Sequence, residues 1–105
     1  MSERSYPLPH VTLDWLTKRA KGSLPDSMGV EAVEIGEGRM ICRMQITPSH
    51  IAPNGYLHAA AIIALADTTC GYATIAHLPE GATNMTTIEL KSNHLGTARD
   101  GAIRA

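Results

Sequence analysis

His58-Ala59-Ala60-Ala61-Ile62-Ile63-Ala64-Leu65-Ala66-Asp67-Thr68-Thr69-Cys70-Gly71-Tyr72-Ala73-Thr74-Ile75-Ala76-His77-Leu78 is the longest apolar run in the chain. Pro79-Glu80-Gly81 closes it, and a helix filling the run would be about 30 Å long at 1.5 Å per residue. That is also transmembrane length, but Asp67, the polar or small positions Thr68, Thr69, Gly71 and Thr74, and a histidine near each end dilute it too far for a bilayer. The run reads as the buried helix of a soluble protein. Alanines at 59, 60, 61, 64 and 66 let strands approach closely around most of its circumference, which suits a helix packed on one face of an antiparallel sheet. Asp67 is the one formally charged side chain between Arg43 and Glu80. A carboxylate in such a helix needs a partner, a solvated cleft or a chemical task.

Strand chemistry flanks the helix. Met40, Cys42, Met44 and Ile46 alternate with Arg39, Arg43 and Gln45, the two-residue period of a strand with one buried face. Gly36-Glu37-Gly38 turns into it from a strand expected over Met28 to Ile35, whose parity slips near Ala32-Val33 as at a bulge. Thr47-Pro48 and Pro53-Asn54-Gly55 mark the loop that leads to the helix. Beyond it, Thr83 to Leu95 returns to strand chemistry, with Ile88 and Leu90 alternating against Thr87, Glu89 and Lys91. Gly96 to Asp100 then turns the chain toward a last strand beginning at Gly101. Ahead of all this, Pro7 and Pro9 give an irregular lead-in, and a surface helix is expected from Thr12 to about Lys21. Thr12 caps it, Asp14 suits its positive end, and Lys18, Arg19 and Lys21 precede Gly22. Trp15 and the leucines should turn inward.

A chain of 105 residues supports one domain with a modest core. The expected organisation is a single α+β domain over 1–105, with 1–27 as lead-in and helix and 28–105 as sheet and central helix. Residues 101–105 open a strand with no turn or partner after it, so one or two closing strands are expected beyond them. The formal net charge of −1 provides no basic field, which disfavours nucleic acid and anionic membrane as partners and leaves a small ligand. Cys42 and Cys70 lack CxxC spacing and the N-terminus lacks a secretory h-region, so a reduced cytoplasm is expected. Cys70, in an apolar helix, should be hidden and unreactive. The histidines show neither HxH nor HExxH spacing, so no metal is expected.

Two chemical features bracket the central helix: free backbone amides at its start, near His58 to Ala60, and Asp67 in its middle. The amides can polarise a carbonyl, and the carboxylate can activate water or attack directly. Eight residues separate Ala59 from Asp67, about 12 Å along a helix axis. They cannot meet within one subunit. A twofold dimer with antiparallel central helices would bring Asp67 of one subunit to the helix start of the other. The alternative is structural: Asp67 caps a helix break at Thr68-Thr69, or pairs with a histidine or Lys91.

The segment from His50 through Pro53-Asn54-Gly55 and His58 to Asp67 resembles the hotdog-fold acyl-CoA thioesterases of the phenylacetate-pathway and 4-hydroxybenzoyl-CoA (Arthrobacter-type) group. Their pattern is roughly H-x-N-x-x-G-x-x-H-G-G followed by an acid on the central helix. His50, Gly55, His58 and Asp67 fall in register, and Thr86-Thr-Ile-Glu-Leu-Lys91 resembles a later family strand. The resemblance implies a hotdog fold, an antiparallel sheet wrapped around a long central helix. It also implies hydrolysis of an acyl-CoA, with Asp67 as nucleophile or general base, the Ala59 amide of the partner subunit on the carbonyl, and Thr87 holding water. His50, Asn54, Gly55, His58 and Ala60 would contact substrate, with Arg39, Arg43, Lys91, Arg99 and Arg104 as candidates for a CoA phosphate. A homodimer, or a homotetramer of two dimers, without cofactor, completes the expectation. The chain departs from the pattern at Ala59-Ala60, where the family has two glycines, and at Ala52, where it has Asn or Gln. Those departures favour the alternative of a non-catalytic acyl-CoA or small-ligand binding protein.

Overall fold

Residues 4–105 are described by the computed structural model. α1 spans Leu13–Ala20, and Thr12 caps it as expected, its Oγ1 accepting the Trp15 N–H at 3.1 Å. Leu16 is the residue this helix buries completely, and Trp15 is half-buried beside it. A second short helix, α2 over Leu24–Met28, falls almost wholly in the expected lead-in and takes only Met28 from the strand expected over Met28 to Ile35. Its signals are local: Ser23 at the N-cap, Pro25 in the first turn, and Gly29 at the C-cap with φ of 77°, a left-handed conformation that favours glycine. At five residues it is too short to show a period.

β1 (Val30–Gly36) and β2 (Arg39–Gln45) form the hairpin, with the register slipping between Ala32 and Glu34 where parity is lost in the sequence. The tight turn needs Gly38, at φ of 66°. β2 presents Cys42 and Met44 inward, both fully buried. β3 (Ala102–Arg104) pairs antiparallel with the other edge of β2, giving the sheet order β1-β2-β3.

α3 (Ala59–Ala76) is one unbroken helix lying on this sheet. It stops two residues short of the expected Leu78, since the residue before Pro79 is pushed out of helical geometry. His77 caps it and sends its Nδ1–H to the Ala73 carbonyl at 2.8 Å. Val30, Cys42, Met44, Ile46, Leu57, Ala61 and Leu65 form the core between helix and sheet. A second cluster joins Leu8, Val11 and Leu16 to Ala76 and Leu78, fastened by the Leu8 N–H on the Ala76 carbonyl at 2.8 Å.

The segment 83–95 departs from its expected strand. It carries strand chemistry but joins no ladder among the described residues. Alternation selects a face; only a neighbouring edge makes a strand. Here Ile88 and Leu95 stand 97% and 95% exposed.

Candidate functional site

Ala61, Leu65, Thr69 and Ala76 mark the side of α3 turned to the core. At 100° per residue, Asp67 lies on the opposite side. It is therefore half-buried rather than sealed in the core, and the cost of a buried carboxylate largely disappears. The helix continues through Thr68 and Thr69 without a break, so Asp67 caps nothing. Among the described residues it forms no ion pair, and its hydrogen-bond partner is Thr87, whose Oγ1–H reaches Asp67 Oδ1 at 2.7 Å. Thr87 sits on the extended 83–97 segment, so two stretches distant in sequence meet at this carboxylate. Oδ2 is left without a hydrogen-bond partner among the described residues.

The carboxylate opens onto a pocket of about 290 Å³ bounded by α1, α3 and residues 84–87. Trp15, Tyr72 and Met85 are among the residues lining it, and Gly71 lies one helical turn beyond Asp67. These residues were not singled out as site candidates in the sequence. The spacing of Gly71, four positions from Asp67 on the same helical face, was the available signal.

The helix start has a different geometry. His58 is the N-cap, and its Nδ1 accepts the Ala60 N–H at 2.9 Å. Ala60 is thereby satisfied, while the Ala59 N–H, at the first helical position, has no hydrogen-bond partner among the described residues. His58, Ala59 and Ala60 are all exposed. The first helical turn thus offers one free donor, backed by the positive end of the helix dipole. Ala59 and Asp67 lie on the same unbroken helix, so the distance of about 12 Å between them stands.

The preceding loop explains three other candidates. His50 is 3% exposed, its Nδ1 accepting the Thr47 N–H at 3.1 Å and its Nε2 bonded to the Met28 carbonyl at 2.8 Å. With both ring nitrogens spent on backbone, it ties the loop to the end of α2. Asn54 Oδ1 accepts the Tyr56 N–H at 3.2 Å, and Gly55 turns the loop with φ of 88°. Ala52 exchanges backbone bonds with Tyr56 and Gly55 inside this small hairpin. Arg99 is drawn over the Tyr56 ring, 5.4 Å from its centroid, on the rim of the same loop.

The two cysteines separate. Cys42 is buried and its thiol is pushed up by desolvation, partly opposed by a hydrogen bond with Thr69. Cys70 is exposed, against the expectation that it would be hidden, because α3 has the sheet on one side only. No group of three or more His, Cys, Asp or Glu side chains gathers into a metal site among the described residues.

The thioesterase superfamily model matches residues 54–105, the stretch holding both the helix start and Asp67. A putative esterase of Haemophilus influenzae is 30% identical over 94 residues, covering 90% of this chain and 67% of the relative. The chain belongs to the thioesterase superfamily. A 1,4-dihydroxy-2-naphthoyl-CoA hydrolase of Escherichia coli is 26% identical over 97 residues, with 90% of this chain and 68% of the relative covered. A crystal structure of a Haemophilus influenzae thioesterase superposes with a TM-score of 0.84 at 27% identity, covering 94% of this chain and 68% of that one. The family and this likeness establish the hotdog architecture: antiparallel sheet and long central helix.

Proposed function

We propose that the protein hydrolyses an acyl-CoA thioester to the free acid and CoA, with Asp67 as the reacting carboxylate. The observation that carries this reading is Asp67 itself, half-buried, without an ion pair among the described residues, fixed through Oδ1 by Thr87 and facing a pocket. Family membership and the E. coli acyl-CoA hydrolase relative support the substrate class.

Two routes use the free Oδ2. As a general base it takes a proton from water while the water oxygen bonds to the thioester carbon. The C–S bond then breaks, and the sulfur leaves as a thiolate that gains a proton. As a nucleophile Oδ2 bonds to the carbonyl carbon and expels the thiolate, leaving a mixed anhydride that water cleaves. In either route negative charge develops on the carbonyl oxygen, and a backbone N–H aimed at it lowers the barrier. The Ala59 N–H is the free donor available, and the helix length demands that it come from a second subunit. We therefore read the working unit as a homodimer with antiparallel α3 helices, able to pair into a tetramer. The exposed helix start, and Ile88 and Leu95 standing bare on 83–97, support this.

Thiol release over a panel of aryl and fatty acyl-CoAs tests the proposal. Asp67→Asn, nearly isosteric and still able to accept the Thr87 hydroxyl, should keep the fold and lower turnover by about 10²–10⁴. Wild-type turnover in that variant removes Asp67 from the mechanism. Binding of acyl-CoA by the wild type with no thiol released marks a binding protein instead, the reading that Ala52 and the Ala59-Ala60 pair favour.

A further inference from the structure

We propose that a second pocket, distinct from the one at Asp67, binds a small amphiphilic carboxylate, an apolar body carrying one anionic head. It lies where the N-terminal lead-in meets the end of α3 and has a volume of about 320 Å³. Arg4, His10 and Arg19 line it together with Trp15, Ile75 and Ala82. The inference does not depend on Asp67 being the reacting group.

The lead-in is fastened here by hydrogen bonds to the end of α3 and the residues after it. Tyr6 Oη–H donates to the Leu78 carbonyl at 3.0 Å, Arg4 Nη1–H to the same oxygen at 3.1 Å, and the Leu8 N–H to the Ala76 carbonyl at 2.8 Å. Arg4 is thus held through one nitrogen, while its Nε and Nη2 have no hydrogen-bond partner among the described residues. Arg19 comes from α1 and lies over the Trp15 ring, 5.0 Å from its centroid, with His10 edge-on to the same ring at 5.3 Å. Folding therefore gathers two permanent cations and a histidine at one cavity. No acidic side chain lines it among the described residues, and neither arginine forms a salt bridge there. Like charges so placed repel one another, and a bound anion replaces that repulsion with attraction. The rest of the lining decides which anion. Trp15, Ile75 and Ala82 are half-buried, so each still shows apolar surface. A bare inorganic anion would use the guanidinium groups and leave that surface wet. A neutral lipid would cover it but desolvate the charges without a partner. A carboxylate on a short apolar body meets both demands, its head taken by the paired N–H groups of a guanidinium.

Trp15 is the chain's one tryptophan and lines this pocket as well as the one at Asp67, so its fluorescence reports binding and the variants locate it. Octanoate should change Trp15 emission saturably, with a Kd below about 1 mM. Acetate and 1-octanol, each lacking one half of the ligand, should bind at least tenfold more weakly. Arg4→Gln should raise the octanoate Kd at least tenfold. His10→Glu, at an exposed position that leaves the core intact, should do the same by placing a carboxylate at the head group, and its result stands even where Arg4→Gln fails to fold. Asp67→Asn should leave the Kd within twofold, whereas octanoate seated beside Asp67 would bind more tightly once that charge is gone. The inference is overturned if emission shows no saturable change up to about 10 mM octanoate, or if acetate or 1-octanol binds as tightly as octanoate. It is equally overturned if neither Arg4→Gln nor His10→Glu moves the Kd, or if Asp67→Asn tightens binding severalfold.

Discussion

Cys42 and Asp67 sit in elements that look equally apolar in sequence, yet they meet opposite surroundings. Cys42 faces inward from β2 and is fully buried, and desolvation raises its thiol above the ordinary value of 9.0, against a smaller lowering by Thr69. Tyr72 is raised too, first by burial and then by the charge of Cys42, with Arg19 opposing. Both groups hold their protons more tightly folded than unfolded. Their contribution to stability is complete below the unfolded values and is lost as pH rises through the folded ones. The urea midpoint should therefore hold near neutrality and fall from about pH 9 upward, and Cys42→Ala should flatten the first part of that fall. A flat profile to pH 11 would contradict the burial of both groups. Asp67 was legible as unusual because no other formal charge lies near it in sequence. Its exposure was not, since periodicity in a run this rich in alanine barely distinguishes one helix face from another. The same ambiguity hid Cys70's exposure.

Elements were readable where their ends carry chemistry. Thr12 fixed the start of α1, Pro79 limited α3, and the alternation from Met40 to Ile46 gave β2 its inner face. α2 escaped for want of a period, and residues 83–95 were read as a strand because sequence alternation says nothing about the neighbour a ladder requires. What ties the elements together is also non-local. His77 Nε2 accepts the Gly38 N–H at 2.8 Å while Nδ1 donates to Ala73, and the ring stacks on Tyr6 at 5.5 Å. One side chain thus joins the β1–β2 turn, the end of α3 and the N-terminal lead-in. His77→Ala should cost about 1–2 kcal/mol, two hydrogen bonds of ordinary net worth on a half-buried residue. Urea unfolding checks this: the midpoint should drop with an unchanged slope, and an unaltered midpoint would show that the three elements are held together without this tie.

At the scale of the molecule, the radius of gyration of 14.9 Å and extents of 55 × 26 × 21 Å exceed the roughly 13 Å radius of a compact domain this size. The 83–97 segment leaves Ile88 and Leu95 bare, surface that the proposed dimer would cover. The proposed dimer makes the two halves of each site come from different chains, and mixing two inactive variants tests this directly. Asp67→Asn removes the carboxylate. Ala59→Pro removes the free N–H without breaking α3, because proline is accepted at the first helical position and His58 already has the extended ψ of 133° that precedes proline well. Each homodimer should be nearly inactive. In a heterodimer one site combines Asp67 of the proline variant with the Ala59 N–H of the asparagine variant and is intact, while the other site carries both lesions. Refolded together in equal amounts, the two should recover roughly a quarter of wild-type thiol release, since half the dimers are mixed and each has one working site. If both groups acted within one subunit, no heterodimer site would be whole, and mixing would restore nothing.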